Sequence, residues 1–329
     1  MPRKKQVANV QPVDSVSRMS QLDTLINDTM SKLVSMFGID ELYGKLAPEI
    51  EKRLMEQFGA IPKTHQVIDA AGIVHPISGI THDMFDTVLN LVNLKIPVFL
   101  SGSAGTGKNY LAKQIAEALG LEFYFTNAVT QEYKLTGFID AQGKYHETQF
   151  YKAFTQGGLF FLDEMDASIP EVLVILNAAI ANGYFDFPTG KFDAHPDFRV
   201  VAAGNTLGTG ADSQYTGRYC LDRASLDRFA VVHIDYSPEI DIAMCGGDED
   251  LYKFVIAFRL ATEQTGIQCV CSYRSENRIH LLDKAKLGNM QEIMRMSLVK
   301  DLDDDDVNIL YNEIKKLVNN RFTEGLKRK

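Results

Sequence analysis

Val98-Phe99-Leu100-Ser101-Gly102-Ser103-Ala104-Gly105-Thr106-Gly107-Lys108-Asn109-Tyr110 decides the fold of this 329-residue chain. Its first four residues read as a buried strand, and the run from about Lys108 to Leu119 predicts a helix. Between them lies the pattern Gly-x-x-x-x-Gly-Lys. A glycine-rich loop that leaves a strand and opens a helix turns its backbone N–H groups, and the positive end of the helix, toward one point. Only a backbone without Cβ curls that tightly around an anion. Lys108 would reach the β- and γ-phosphates of a nucleotide as a point charge. The expected nucleotide-binding residues are Gly102, Ser103, Ala104, Gly105, Thr106, Gly107, Lys108, Asn109 and Tyr110.

Asn109 breaks the strict pattern, which places Ser or Thr after the lysine so that a hydroxyl ligates Mg²⁺. An amide oxygen is also a neutral hard ligand, but it sits one bond further from the backbone. Two readings follow, an active hydrolase and a nucleotide-binding chain with slow turnover.

About fifty residues on, Leu159-Phe160-Phe161-Leu162-Asp163-Glu164 puts two carboxylates at the end of an apolar strand. That is the edge of an open α/β sheet where ligands sit. Asp163 is the expected metal ligand beside Asn109, and Glu164 the group that polarises the attacking water. The competing reading is an acidic start to a helix near Ser168-Ile169-Pro170-Glu171. A third strand, Arg199 to Gly204, ends in Asn205, which can position the water or be an ordinary turn residue. Arg228 and Arg223, with Arg218 upstream, lie near the domain edge. There an arginine either completes a neighbour's site by stabilising phosphoryl charge or is simply a surface residue.

Outward from this centre, short apolar strands alternate with helices: Val98–Ser101, Glu122–Phe125, Leu159–Leu162, Phe198–Ala203 and Val231–Ile234. Strands apolar on both faces belong to a parallel sheet covered by helices, so the middle of the chain is expected to be an α/β doubly wound domain. His65 to Ile80 suggests a hairpin-like entry and Asp83–Leu94 an amphipathic helix. After Pro238 only helices are expected, at Leu251–Thr262, Ser275–Lys286 and Val307–Val318, with Asp303–Asp306 as a solvated start to the last. Residues 1–17 read as a disordered tail, 18–64 as a helical extension with helices near Leu22–Phe37 and Pro48–Phe58, 65–236 as the nucleotide-binding domain and 237–329 as a helical lid.

The balance of 34 basic against 43 acidic side chains, −9 overall, speaks against a surface made to neutralise duplex nucleic acid. The N-terminus lacks the apolar core of a signal peptide and no run is long enough to span a membrane, so a cytoplasmic setting is expected. Cys220, Cys245, Cys269 and Cys271 lack zinc-site spacing and are expected to be reduced structural thiols.

The order of these motifs resembles the AAA+ superfamily and, within it, the MoxR branch with the NorQ and CbbQ activases and the cobaltochelatase ATPase subunit. The resemblance runs from about Val67 to Arg278. It is carried most by Asp163-Glu164-Met165-Asp166, Leu176-Asn177-Ala178-Ala179-Ile180, Pro188-Thr189-Gly190, His195-Pro196-Asp197-Phe198-Arg199 and Ala203-Gly204-Asn205-Thr206. Gly137-Phe138-Ile139 through Gly143 to Gly157-Gly158 is similar to the branch's stretch before the Walker B strand. The resemblance implies ATP and Mg²⁺ as cofactors, a ring of six subunits, and hairpin insertions facing a pore. It also implies Asn205 as sensor 1, Arg228 or Arg223 as arginine finger, and Arg274 as the sensor 2 arginine that binds nucleotide from the lid. The implied partner is a remodelled protein, often one with a von Willebrand factor A domain. A DNA-acting motor of the McrB kind and a slow nucleotide-responsive scaffold are the alternatives.

Overall fold

The computed structural model describes residues 66–68, 74–77, 79–211 and 215–328. The tail and helical extension expected over residues 1–17 and 18–64 lie outside the described residues. The chain divides into two compact units, the first comprising mainly Gln66–Ser78 and His82–Ser237 and the second mainly Pro238–Lys329.

The first unit begins with an antiparallel pair, β1 (Gln66–Ile68) and β2 (Val74–Pro76), the hairpin expected there. Then come α1 (Phe85–Asn93), β3 (Val98–Ser101), α2 (Lys108–Ala118), β4 (Phe123–Thr126), the short α3 (Tyr133–Thr136), β5 (Phe138–Ile139), β6 (Tyr145–His146), α4 (Gln149–Gln156) and β7 (Gly158–Leu162). A 3₁₀ turn over Met165–Ala167 leads to α5 (Pro170–Asn182), the hairpin β8 (Tyr184–Phe187) and β9 (Gly190–Asp193), β10 (Phe198–Gly204), α6 (Arg223–Leu226) and β11 (Ala230–His233). Five strands form one sheet in the order β11-β3-β10-β7-β4 with every pairing parallel, the doubly wound α/β arrangement.

The period-two alternation of a strand sorts the core into two layers. Val98, Leu100, Leu159, Phe161, Val201 and Ala203 pack with α1 and α2 through Phe85, Val88, Leu111 and Ile115. Their sequence neighbours Phe99, Phe160, Leu162, Val200 and Ala202 pack with α4 and α5 through Phe150, Phe154, Leu173 and Leu176. Both faces are covered, which is why these strands are apolar throughout. Phe150, Phe154 and Tyr151 hold the base of the β8–β9 hairpin at ring distances of 5.9, 5.7 and 4.9 Å from Phe187.

The second unit is helical, with α7 (Pro238–Met244), α8 (Glu249–Thr265), α9 (Tyr273–Lys284), α10 (Met290–Ser297), α11 (Asp304–Leu317) and α12 (Arg321–Glu324). Phe254, Phe258, Ile279, Leu310, Ile314 and Phe322 form its core. Its helices start earlier than apolar periodicity indicates, because the capping residues lie upstream: Asp248 accepts from Asp250 and Leu251 N–H, and Ser272 from Ser275 N–H. The acidic run behaves as expected, Asp303 capping α11 by accepting from Asp306 N–H. Helix α10 was not foreseen, although Asn289 and Glu292 form a capping box. No helix of the described residues is long and apolar enough to cross a membrane.

Candidate nucleotide site

Strand register brings the motifs together. Ser101 pairs with Gly204, and Leu162 with Ala202, so the C-terminal ends of β3, β10 and β7 lie side by side. The phosphate loop therefore emerges next to Asn205 and near Asp163 and Glu164. Gly102 N–H donates to Gly204 O at 3.3 Å. Gly102 is required by close approach: a Cβ there would lie 2.0 Å from the carbonyl oxygen of Ile234. Gly105 and Gly107 have φ of 79° and 86°, the left-handed curl expected of the loop.

Lys108 is buried and donates from Nζ to Gly102 O at 2.6 Å, Ser103 O at 2.8 Å and Asn205 Oδ1 at 3.1 Å. The last contact joins the phosphate lysine to the expected water-positioning amide. Thr106 Oγ1 donates to Ser103 O, which closes the loop on itself. Two residues that sequence reasoning missed hold Ala104: its N–H donates to the hydroxyl of Tyr215, and the hydroxyl of Tyr236 donates to its carbonyl. No local signal marks either tyrosine, since they lie 111 and 132 residues away. Tyr110, exposed on the first turn of α2, has its phenol pushed upward in pKa by burial and then by Glu117.

Asn109 Nδ2 donates to Asp163 Oδ2 at 2.7 Å, so the expected metal pair is adjacent. Among the described residues no group of three or more His, Cys, Asp or Glu side chains can hold a metal. One carboxylate and one amide oxygen suit a Mg²⁺ ion that arrives on nucleotide phosphates and keeps several waters. Glu164 is half-exposed, with φ of 51°. Its N–H donates to Asp163 Oδ1 at 3.0 Å, and it caps the 3₁₀ turn by accepting from Ala167 N–H at 2.9 Å. The carboxylates thus precede a 3₁₀ turn, and the α-helix begins separately at Pro170.

Asp166 and Arg218 complete the site. Asp166 is fully buried and accepts from Asn205 N–H at 3.0 Å and from Arg218 at 3.2 Å. Arg218 also reaches Glu164 at 3.4 Å. Arg218, which lies upstream of the two candidate fingers, is thus engaged within its own chain. Arg223 and Arg228 are exposed, and neither hydrogen-bonds the phosphate loop, Asp163 or Glu164; Arg228 donates to the carbonyl of Ala224. Their segment is anchored by Asn177 Nδ2 donating to Ser225 Oγ at 2.6 Å. Arg274 belongs to the second unit, exposed in the first turn of α9.

Residues 97–229 match the model of the AAA domain (dynein-related subfamily). Uncharacterised proteins of Staphylococcus aureus strains USA300 and NCTC 8325 are each 28% identical over 170 residues, 46% of this chain and 60% of theirs. The chain thus spans about three fifths of the length of these curated relatives. Among solved structures, NtrX from Brucella abortus overlaps 83% of this chain and 56% of its own with a TM-score of 0.43 and 14% identity. NtrX in complex with ATP overlaps 62% and 48% with a TM-score of 0.39 and 18% identity. At such scores these overlaps carry no argument about this chain. The family match spans the phosphate loop, the paired carboxylates, Asn205 and the arginine segment through Arg228, so what residues 97–229 share with the AAA domain includes every candidate site residue of the first unit.

Proposed function

We propose that the chain is a ring-forming, Mg²⁺-dependent ATPase of the MoxR kind that couples ATP hydrolysis to remodelling of a protein partner. The observation that carries this reading is the contrast between the arginines. Arg218 is drawn into its own site, whereas Arg223 and Arg228 stand exposed on an anchored segment and hydrogen-bond neither the phosphate loop nor the paired carboxylates. An arginine that stabilises charge on the transferring phosphoryl group is then one supplied by an adjacent subunit, which gives a physical reason for assembly. In the same reading Lys108 and the loop N–H groups hold the phosphates, Asp163 and Asn109 face the ion, Glu164 polarises water, Asn205 aligns it and Arg274 senses nucleotide from the helical unit.

The partner is proposed to be a protein, with a von Willebrand factor A domain protein as first candidate; hairpins β5–β6 and β8–β9 offer exposed Phe138, Ile139 and Tyr184 for such contact. Steady-state phosphate release by the wild type and by Glu164→Gln, with sedimentation in the presence of ATP, tests the proposal. Rapid release lost in E164Q, together with ATP-dependent assembly, is expected. A monomer at every concentration with ATP removes the ring and the donated arginine. DNA-stimulated hydrolysis with steep salt dependence favours the DNA motor.

A further inference from the structure

Asp166 is buried three residues beyond Asp163 and gathers donors from two other segments. Its Oδ2 accepts from Asn205 N–H at 3.0 Å, Thr206 N–H at 2.9 Å and Thr206 Oγ1 at 3.0 Å, and its Oδ1 accepts from Arg218 at 3.2 Å. Tyr219 N–H donates to the Asp166 carbonyl at 2.8 Å, which fixes the arginine's neighbour to the same turn. Gly204 makes room for this: a Cβ there would lie 3.0 Å from Asp166 Cγ and 2.7 Å from the ring of Phe99. The Asp166 carboxylate therefore lies directly beneath the end of β10 and the Asn205 backbone.

A guanidinium is planar, so holding one of its nitrogens aims the others. With one terminal nitrogen on Asp166, the other terminal nitrogen of Arg218 reaches Glu164 Oε1 at 3.4 Å. The Arg218 side chain is 10% exposed and that of Glu164 42%, so the pair runs from the buried root of the site to its open mouth. Glu164 itself is in the left-handed region, where a residue with a Cβ persists only when its surroundings over-determine it.

We infer that Arg218 is a positioning residue that acts within its own subunit on Glu164, with Asp166 as its anchor. It orients the carboxylate that polarises the attacking water and couples that orientation to Asn205 on the adjacent strand. This rests on the reading of Glu164 as the water-polarising group.

The test compares phosphate release and fluorescent-nucleotide binding in the full chain for wild type, Arg218→Ala, Arg218→Lys, Glu164→Gln and the double variant R218A/E164Q. R218A is expected to lower kcat about 10- to 100-fold, the scale of a misplaced reacting group. KM and nucleotide affinity stay within about threefold, because the phosphates are held by other residues. R218K recovers part of the rate, and R218A adds little loss on the E164Q background. R218A leaves a buried carboxylate without its cation, so melting curves accompany the assays; if it does not fold, R218M/D166N, which removes both charges, takes its place. An unchanged or raised kcat in a folded variant, or a loss confined to KM, overturns the proposal while the E164Q loss leaves Glu164's role standing. Equal release by wild type and E164Q overturns the reading of Glu164 and this inference with it.

Discussion

The amide nitrogen of Asn109 donates to Asp163 Oδ2 across 2.7 Å, so the residue that departs from the phosphate-loop pattern is tied to the carboxylate that faces the expected ion. An amide donor there competes with a cation for the same oxygen. Asn109→Ser shortens the side chain and presents a hydroxyl that can serve as a ligand. It is expected to lower the Mg²⁺ concentration for half-maximal phosphate release by about tenfold, the scale of one hydrogen bond to a charged group. A Mg²⁺ titration of the rate checks this; an unchanged or higher midpoint contradicts it.

Gly102→Ala forces a Cβ to within 2.0 Å of a backbone oxygen, Ile234 O, where no flexible side chain can yield. The backbone must move at the root of the phosphate loop, and a cost of about 1–3 kcal/mol is expected. Denaturant unfolding measures the loss, and nucleotide titration of the folded fraction should show weakened binding. Wild-type stability with wild-type affinity would contradict the close approach.

Arg228→Ala is expected to keep ATP binding and to lower phosphate release by about 10³-fold or more, as removal of a donated arginine does. Mixing it with Lys108→Ala subunits should restore part of the rate, since a subunit with an intact loop then meets a neighbour with an intact arginine. If Arg223→Ala shows the large loss instead, the finger is Arg223. If neither does, neither residue is the donated arginine.

In the helical unit, buried Glu276 lies against Arg259, which also pairs with Asp241 at 2.7 Å. Burial pushes the Glu276 carboxyl up to about 9, against the pull of Arg259, and Asp241 nearby adds to the rise. The native state thus holds a proton that the unfolded chain sheds above about pH 4.3. The stabilisation from this group is full below that value and is lost as pH rises toward 9, at up to about 1.4 kcal/mol per pH unit. Glu276→Gln, which cannot ionise, should flatten the decline. Thermal melts at pH 5.5, 7 and 8.5 test it, and parallel slopes for both proteins would contradict it.

Much of the sheet was legible because each strand is apolar on both faces, and the helix after the loop because the motif and the helix share a boundary at Lys108. Helix α4 was less visible. It has only eight residues, and its cap, Thr148 accepting from Tyr151 N–H, is not followed by Glu or Gln at the usual spacing. The loop, Asp163, Glu164 and Asn205 were readable as candidate site residues because each stands at a strand end, and the register brings those ends together. Tyr215, Tyr236 and the Asp166–Arg218 pair were not. Asp166 stood within the quoted motif, yet nothing local distinguishes a buried hub from a solvated carboxylate.

The phosphate-loop pattern and the parallel architecture that presents it can be read from the chain alone. Motif spacing and apolar runs are local properties that survive without knowing what packs where. It takes the packed fold to show that Asn109 bonds Asp163, that Gly102 answers to Ile234 rather than to curvature alone, and that Arg218 reaches its own Glu164. Those partners are separated by 54, 132 and 54 residues, and strand order, which side-chain periodicity does not encode, is what brings them within reach.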